Sequence, residues 1–173
     1  MYKRQPFLAY ISWYNFKYAN SHVKKAAVDK AVLADFLRLK SKLELFRRNV
    51  LMWTRFTQVH VVLYENLIRN LESGLVELTE FLEIPGDQAR LRCTRENSEG
   101  GYHRREAGKK EFPFSREDSD YLIRAICDVD KILRNQDGRR RLPIQIYNQE
   151  LAEKFVGSQD YPLPEISCSR SLT

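Results

Sequence analysis

Three short stretches of this chain carry residue types that could bind an anionic ligand. The first is Arg4-Gln5-Pro6, followed by Ser12 eight residues after the arginine. A guanidinium group binds phosphate through paired, charge-assisted hydrogen bonds, and a hydroxyl group can add one more. On spacing alone, however, the pattern favours an exposed arginine and a serine that faces its own helix.

The second stretch follows a short apolar run. Residues 58–63 (QVHVVL) are rich in β-branched residues and nearly continuous in apolar character, which predicts a strand covered on both faces, as in a parallel sheet. Tyr64-Glu65-Asn66-Leu67 comes at its carboxyl end, the side on which open α/β sheets bind ligands. The alternative is a tyrosine that packs locally and a glutamate in the first turn of a helix.

The third stretch is a loop that combines glycines with basic side chains. Residues 97–114 contain Gly100-Gly101-Tyr102-His103-Arg104-Arg105 and Gly108-Lys109-Lys110. Glycine permits backbone conformations that other residues rarely adopt, so a loop of this composition can fold over a phosphate and bring its cationic side chains to it. Charge runs are usually solvated, so this stretch is also weak evidence when it stands alone.

The elements that would position these stretches are mostly helices. A proline is favoured in the first helical turn, which predicts a helix from Pro6 to about Asn20. Apolar periodicity predicts further helices over residues 31–56, 71–82, 87–95 and 116–134. A lone strand does not form a stable sheet, so residues 1–4 are expected to end a second strand. The alternative is an all-helical protein in which QVHVVL is a buried linker.

Composition limits the classes of protein to consider. The chain has 173 residues, 43% of them hydrophobic, which is enough for one domain with a packed core. No apolar run approaches the length of a membrane span. The net charge of +6 agrees with a polyanionic ligand, but many basic surfaces bind none.

The cysteines and histidines show no metal-ligand spacing, and a zinc site is therefore not expected. Three cysteines are also too few for a disulfide scaffold. Cys93 and Cys127 fall in predicted helices and are expected to be small buried core residues. A Cys93–Cys127 disulfide is the alternative for a protein of a secretory compartment, and the sequence does not decide between the two.

Together, the three stretches are much more specific than any one of them. Their order is a strand end with R-x-P-x5-S, a strand with Y-E-x-L, a helix, and then a loop with aromatic-x-Arg. This order resembles the C-terminal half of sulfotransferases that use 3′-phosphoadenosine 5′-phosphosulfate (PAPS). The phrases VVLYENLIRNLESGLVELTEFLEI and LRCTRENSEGGYHR look closest to the sulfotransferase domain of WSC-domain-containing, sialate O-sulfotransferase-like proteins.

The resemblance implies transfer of a sulfuryl group from PAPS to a hydroxyl acceptor, a carbohydrate. It implies an α/β fold of the P-loop-NTPase-like sulfotransferase type, mostly helical in this chain. It assigns Arg4, Ser12 and Arg104 to the 3′-phosphate of the donor and places Tyr64 beside the nucleotide. It identifies no catalytic residue and no metal ligand here.

One part of the family pattern is missing from the chain. The strand-loop-helix that cradles the 5′-phosphosulfate and carries a catalytic lysine would lie upstream of Met1, which implies a fold truncated at its N-terminus and a chain that is inactive alone. Residues 1–134 would form the C-terminal part of the sulfotransferase domain, and residues 135–173 a basic, loosely structured tail. Gln5 stands where the family has Asp or Asn, a mild departure.

The resemblance also implies a location in the cell, and the residues themselves leave two alternative functions open. The relatives are Golgi membrane proteins with the domain on the lumenal side, held by an anchor that these residues do not contain; a cytoplasmic location is the alternative. An inactive, sulfotransferase-like helical module could instead dock a partner through the aromatic face of its first helix. A basic nucleic-acid binder would use residues 103–110 and 139–141, but no recognisable nucleic-acid module is present, so no nucleic-acid partner is expected.

Overall fold

Helices make up most of the computed structural model, which describes residues 2–3, 5–19, 32–33, 40–53, 55–56, 59–98, 108–137, 141–157 and 161–168. In chain order the elements are β1 (Tyr2–Lys3), α1 (Pro6–Ala19), α2 (Lys40–Trp53), β2 (Val62–Leu63), α3 (Tyr64–Arg69), α4 (Leu71–Phe81), α5 (Gln88–Glu96), β3 (Lys110–Glu111), α6 (Arg116–Asp137), α7 (Ile144–Lys154) and β4 (Phe155–Val156).

The helices predicted from apolar periodicity are confirmed where the structure describes them. The predicted helix over 31–56 is seen as α2, with Val32 and Leu33 also helical. α6 begins with a reciprocal cap: the Asp118 N–H donates to Ser115 Oγ at 3.1 Å, and the Ser115 hydroxyl donates to the Asp118 carboxylate at 2.6 Å. Local spacing and capping therefore fix most helix boundaries to within a few residues.

The strands form two short parallel pairs. β1 pairs with β2, with Tyr2 opposite Val62 and Lys3 opposite Leu63, and β3 pairs with β4. The first pair confirms the predicted second strand at the start of the chain, and the all-helical alternative is wrong. The strand predicted over 58–63 is reduced to Val62–Leu63, since β1 offers only two residues to pair with among those described.

One hydrophobic core joins α1, α6 and α7. From α1 it takes Phe7 and Tyr14, so the aromatic face of that helix is largely core rather than a docking surface. The Phe7 ring meets the Phe114 ring edge-on, with centroids 5.1 Å apart. The apolar spacing of α6 predicts that Ile123, Ile126, Val129 and Leu133 point inward; Ile126 and Val129 are fully buried, Leu133 nearly so, and Ile123 is partly buried against the core.

Residues 141–157 and 161–168, here called the C-terminal segment, differ from the loosely structured tail predicted from their sequence. α7 buries Tyr147 and Leu151 completely. Asn148 donates to the Ile166 carbonyl at 2.9 Å and accepts the Ile166 N–H at 2.8 Å. These contacts link residues distant in sequence, and a local pattern does not reveal them. The division of the chain into domains at residue 134 stays a prediction.

The cysteines pair differently from the expectation. Cys127 forms a disulfide with Cys168, so the Cys93–Cys127 alternative is wrong. Cys93 is free and exposed rather than buried, since α5 buries none of its side chains. The disulfide therefore joins the middle of α6 to the end of the C-terminal segment.

Candidate functional site

The carboxyl ends of β1 and β2 bring two of the three predicted ligand-binding stretches together. The strands are parallel and Lys3 lies opposite Leu63, so the residues that follow each strand leave the sheet at the same edge. Gln5 follows β1, and Tyr64-Glu65 follows β2 directly. This is the edge at which open α/β sheets bind their ligands.

A buried hydrogen bond connects these two stretches. The Gln5 backbone N–H donates to Glu65 Oε1 at 2.7 Å, and both residues are fully buried. The carboxylate lies at the N-terminus of α1, where the helix dipole favours negative charge. Bonds of this charge-assisted kind are short and strong. Glu65, which the sequence suggested only as an acid in the first turn of a helix, thus fixes one stretch to the other; we call this contact the Gln5–Glu65 clamp.

Gln5 also caps the helix that it precedes. Its side-chain Oε1 accepts the Leu8 N–H at 2.9 Å, and its carbonyl accepts the Ala9 N–H at 3.0 Å. Shorter side chains usually make this cap, and the glutamine reaches the same backbone donor. The departure from Asp or Asn at this position is therefore compatible with a well-formed helix start.

These contacts decide how an anion could bind here. A helix N-terminus normally offers several backbone N–H groups to a phosphate. In α1, Pro6 has no N–H, the Leu8 N–H is bonded to the Gln5 side chain, and the Gln5 N–H is bonded to Glu65. The start of α1 therefore offers a phosphate fewer backbone donors than a helix N-terminus usually does, which gives more weight to side chains.

Two of the four predicted donor-binding residues lie in the described part of the chain. Ser12 is two turns into α1 and half-buried. Tyr64 is the first residue of α3 and also half-buried. Arg4 and Arg104 lie outside the described residues, as does most of the glycine-containing loop. The roles of all four residues stay predictions.

One exposed hydrogen bond joins α7 to α3, the helix that begins at this edge. Arg69, the last residue of α3, donates from Nη2 to Gln149 Oε1 on α7 at 3.1 Å. Tyr147 on α7 is fully buried, and its pKa is raised by burial first and then by the carboxylates of Glu65, Glu150 and Asp130. Sequence reasoning missed Tyr147, because nothing in its local pattern connects it with Glu65, which is 82 positions earlier.

A second polar cluster ties α1, α2 and α6 together away from this edge. The Tyr121 hydroxyl donates to Glu44, and Arg47 bridges Glu44 at 3.7 Å and Asp128 at 3.3 Å. Burial and then the Glu44 hydrogen bond raise the pKa of Tyr121 to about 12. The pKa of Tyr10 is also raised, by burial and by these neighbours. The cluster positions helices and contains no residue of the predicted donor site.

A cavity of about 190 Å³ lies beside β2, between the strand and the start of α4, and is lined in part by His60, Asn66, Ser73 and Glu77. It contains none of the four predicted donor-binding residues. Within the described ranges, no group of three or more His, Cys, Asp or Glu side chains could hold a metal ion. None of the helices in those ranges is both long and apolar enough to cross a membrane.

Comparison with known proteins adds one finding to this geometry. A family model described as "Sulfotransferase domain" matches residues 2–117. The match includes β1, β2, the Gln5–Glu65 clamp and Arg104, and it ends before α7. No solved structure matches the chain.

Proposed function

Because this chain belongs to the sulfotransferase domain family, we propose that it binds PAPS at the carboxyl edge of β1 and β2. Arg4, Ser12 and Arg104 hold the 3′-phosphate of this donor, and Tyr64 lies beside the nucleotide. The observation that carries the proposal is the Gln5–Glu65 clamp, which joins the stretch after β1 to the stretch after β2 through a 2.7 Å buried hydrogen bond. Side chains from both stretches can then reach one ligand.

The proposed reaction moves a sulfuryl group from PAPS to a hydroxyl acceptor. The bond between sulfur and the phosphate oxygen of the donor breaks, a bond between sulfur and the acceptor oxygen forms, and the acceptor proton passes to a base. Negative charge grows on the leaving phosphate, so fixed cationic and hydrogen-bonding groups accelerate the transfer. We infer a P-loop-NTPase-like arrangement for the complete domain, in keeping with the family.

The acceptor and location are the finer part of the proposal. Likeness to sialate O-sulfotransferase-like sequences supports a carbohydrate acceptor and the lumenal side of the Golgi membrane. The Cys127–Cys168 disulfide supports an oxidising compartment of that kind. The resemblance puts the phosphosulfate-cradling loop and its lysine outside these 173 residues. We therefore propose that the 173 residues bind the donor without transferring its sulfuryl group.

Calorimetric titration with 3′-phosphoadenosine 5′-phosphate, the desulfated donor, tests the proposal. Arg4→Ala and Arg104→Ala should each weaken binding about tenfold or more, because a hydrogen bond to a charged group contributes about 1.5–3 kcal/mol. Arg90→Ala is the matched control, since the Arg90 side chain is 87% exposed on α5. Binding that survives both site substitutions unchanged, or that is absent from the wild type, would overturn the proposal.

The same titration separates the rival functions. A nucleic-acid binder should prefer oligonucleotides, with an affinity that falls steeply as salt rises. A helical interaction module should bind neither ligand.

A further inference from the structure

An aromatic contact joins the third predicted stretch to the two that the Gln5–Glu65 clamp connects. Phe112, near the end of the glycine-containing basic stretch, is buried, and its ring centroid lies 5.6 Å from that of Phe7. Phe7 is the second residue of α1 and follows Gln5 by two positions. The end of the third stretch therefore packs against the helix start that the clamp holds.

Four buried phenylalanines form this contact, and we call them the aromatic cluster: Phe7, Phe112, Phe114 and Phe155. The Phe112 ring meets that of Phe155 edge-on at 5.7 Å and lies 5.3 Å from that of Phe114. Such pairs contribute to stability beyond the area that they bury. Because protein interiors are closely packed, a shift of Phe155 on β4 displaces the rings beside the start of α1.

Strand β4 also holds the backbone of Phe112. The Phe112 N–H donates to the Val156 carbonyl at 2.9 Å, and Glu111 lies opposite Val156 in the parallel pair of β3 and β4. β4 belongs to the C-terminal segment, whereas the family match ends at residue 117. Residues beyond the matched region thus fix both the backbone and the ring of Phe112.

The C-terminal segment keeps β4 itself in place. Directly after β4, the backbone at Gly157 packs so closely that a Cβ atom there would lie 2.6 Å from the Leu163 nitrogen and 2.9 Å from Pro162 Cα. Further along, the Cys127–Cys168 disulfide joins the segment to α6. β4 is therefore a fixed partner for the third stretch and not a free end of the chain.

A fixed β3 matters for the donor site because of where Arg104 lies in the sequence. Arg104 precedes Lys110, the first residue of β3, by six positions, and six residues span at most about 20 Å. Anchoring Lys110 beside α1 therefore limits how far Arg104 can be from the stretch that carries Arg4 and Ser12. Ordering flexible groups on binding costs free energy, and an anchor present beforehand reduces that cost.

We propose that Phe112 is a positioning residue for the donor site. Held by β4 and packed against Phe7, it keeps the third stretch beside the stretch that carries Arg4 and Ser12. The inference rests on the proposed function, and it makes the C-terminal segment part of the support of the 3′-phosphate site. Phe112 acts through the backbone of its own stretch and does not touch the donor.

Phe112→Leu in the full chain tests the inference. Leucine keeps an apolar side chain and the N–H that bonds to Val156, but it loses the ring contacts with Phe7 and Phe155. In calorimetric titrations, the dissociation constant for 3′-phosphoadenosine 5′-phosphate should rise about tenfold, the effect of one hydrogen bond to a charged group. The constant for adenosine 5′-phosphate should not change, because the third stretch is assigned to the 3′-phosphate alone.

Val50→Ala is the matched control for lost packing, since Val50 is fully buried on α2 and lies outside the aromatic cluster. Both variants should unfold at a lower temperature than the wild type, so the titrations are made where both are folded. Val50→Ala should leave both dissociation constants unchanged.

Gly157→Ala approaches the same anchor from β4. The added methyl group has no room beside the Leu163 nitrogen, so β4 has to shift, and the same selective loss of affinity is expected. Gly86→Ala is its matched control, because a Cβ atom at Gly86 meets nothing within 4 Å. If Phe112→Leu does not fold, this pair decides the question through the same two constants.

The results separate the two proposals. If the wild type does not bind 3′-phosphoadenosine 5′-phosphate, the proposed function fails and this inference fails with it. If the wild type binds it and the folded variants bind it equally well, the positioning role is wrong and the proposed function stands. Equal weakening of both nucleotides would show a purely structural role and would also overturn the inference.

Discussion

Replacing Glu65 with glutamine removes the charge of the clamp and keeps its shape. The amide oxygen can still accept the Gln5 N–H, and the side-chain volume hardly changes. Any effect of Glu65→Gln therefore reports on the negative charge at the N-terminus of α1, where Glu65 Oε1 lies 2.7 Å from the Gln5 nitrogen. The substitution separates the electrostatic part of the clamp from its packing.

The expected effect follows from three terms. A hydrogen bond to a charged group contributes about 1.5–3 kcal/mol, and a bond between neutral groups about 0.5–1.5 kcal/mol. The bond between the Gln5 N–H and residue 65 should therefore contribute about 1 kcal/mol less stability in Glu65→Gln. The interaction with the helix dipole adds a loss of about 0.3–2 kcal/mol. Glutamine relieves the desolvation of a buried charge, which acts in the opposite direction. Because the bond is short and lies at the helix start, we expect a net loss of about 1–2 kcal/mol in the free energy of unfolding.

Urea unfolding at neutral pH measures this loss. The midpoint should fall while the dependence on denaturant stays the same, since the buried surface does not change. Glu77→Gln is the matched control, because Glu77 is exposed on α4. If Glu65→Gln is as stable as the wild type, or more stable, the carboxylate does not hold α1, and the reasoning about the clamp is refuted.

Three further predictions follow from the same contacts. Cys127 and Cys168 are 41 residues apart, and replacing both with serine should lower the free energy of unfolding by about 4 kcal/mol in denaturant titrations. A double variant as stable as the wild type would show that this crosslink does not constrain the unfolded chain. Tyr121 has its pKa raised to about 12 from 10.0, so it contributes stability that is present below pH 10 and lost as the pH rises towards 12. Tyr121→Phe should remove one late step from a spectrophotometric titration of the tyrosines, and an unchanged titration contradicts the assignment. Ser12→Ala should raise the dissociation constant for 3′-phosphoadenosine 5′-phosphate about tenfold without lowering the unfolding temperature, whereas equal affinity would exclude Ser12 from the site.

The helices and the first strand pair follow from local sequence rules. Apolar spacing and the Ser115–Asp118 cap give α6, and Pro6 marks the start of α1. The pairing of β1 with β2 follows from a stability argument instead, because a strand as apolar as VHVVL needs a neighbour. Spacing and strand pairing therefore predict the edge at which the site lies.

The contacts that complete the site could not be predicted in this way. The Gln5–Glu65 clamp joins residues 60 positions apart, and periodicity only relates residues within a few turns of each other. The same holds for the partner of Cys127, since Cys168 follows a stretch without regular apolar spacing. The burial of Tyr147 depends on how α7 meets α6, which is a property of the assembled core.

The preference of the wild-type chain for the 3′-phosphate tests the central claim most directly. Calorimetric titration compares 3′-phosphoadenosine 5′-phosphate with adenosine 5′-phosphate under one set of conditions. If side chains from the stretches after β1 and β2 grip the 3′-phosphate together, the first nucleotide should bind at least about tenfold more tightly, the equivalent of one charged hydrogen bond. Equal affinity for the two nucleotides would contradict the claim.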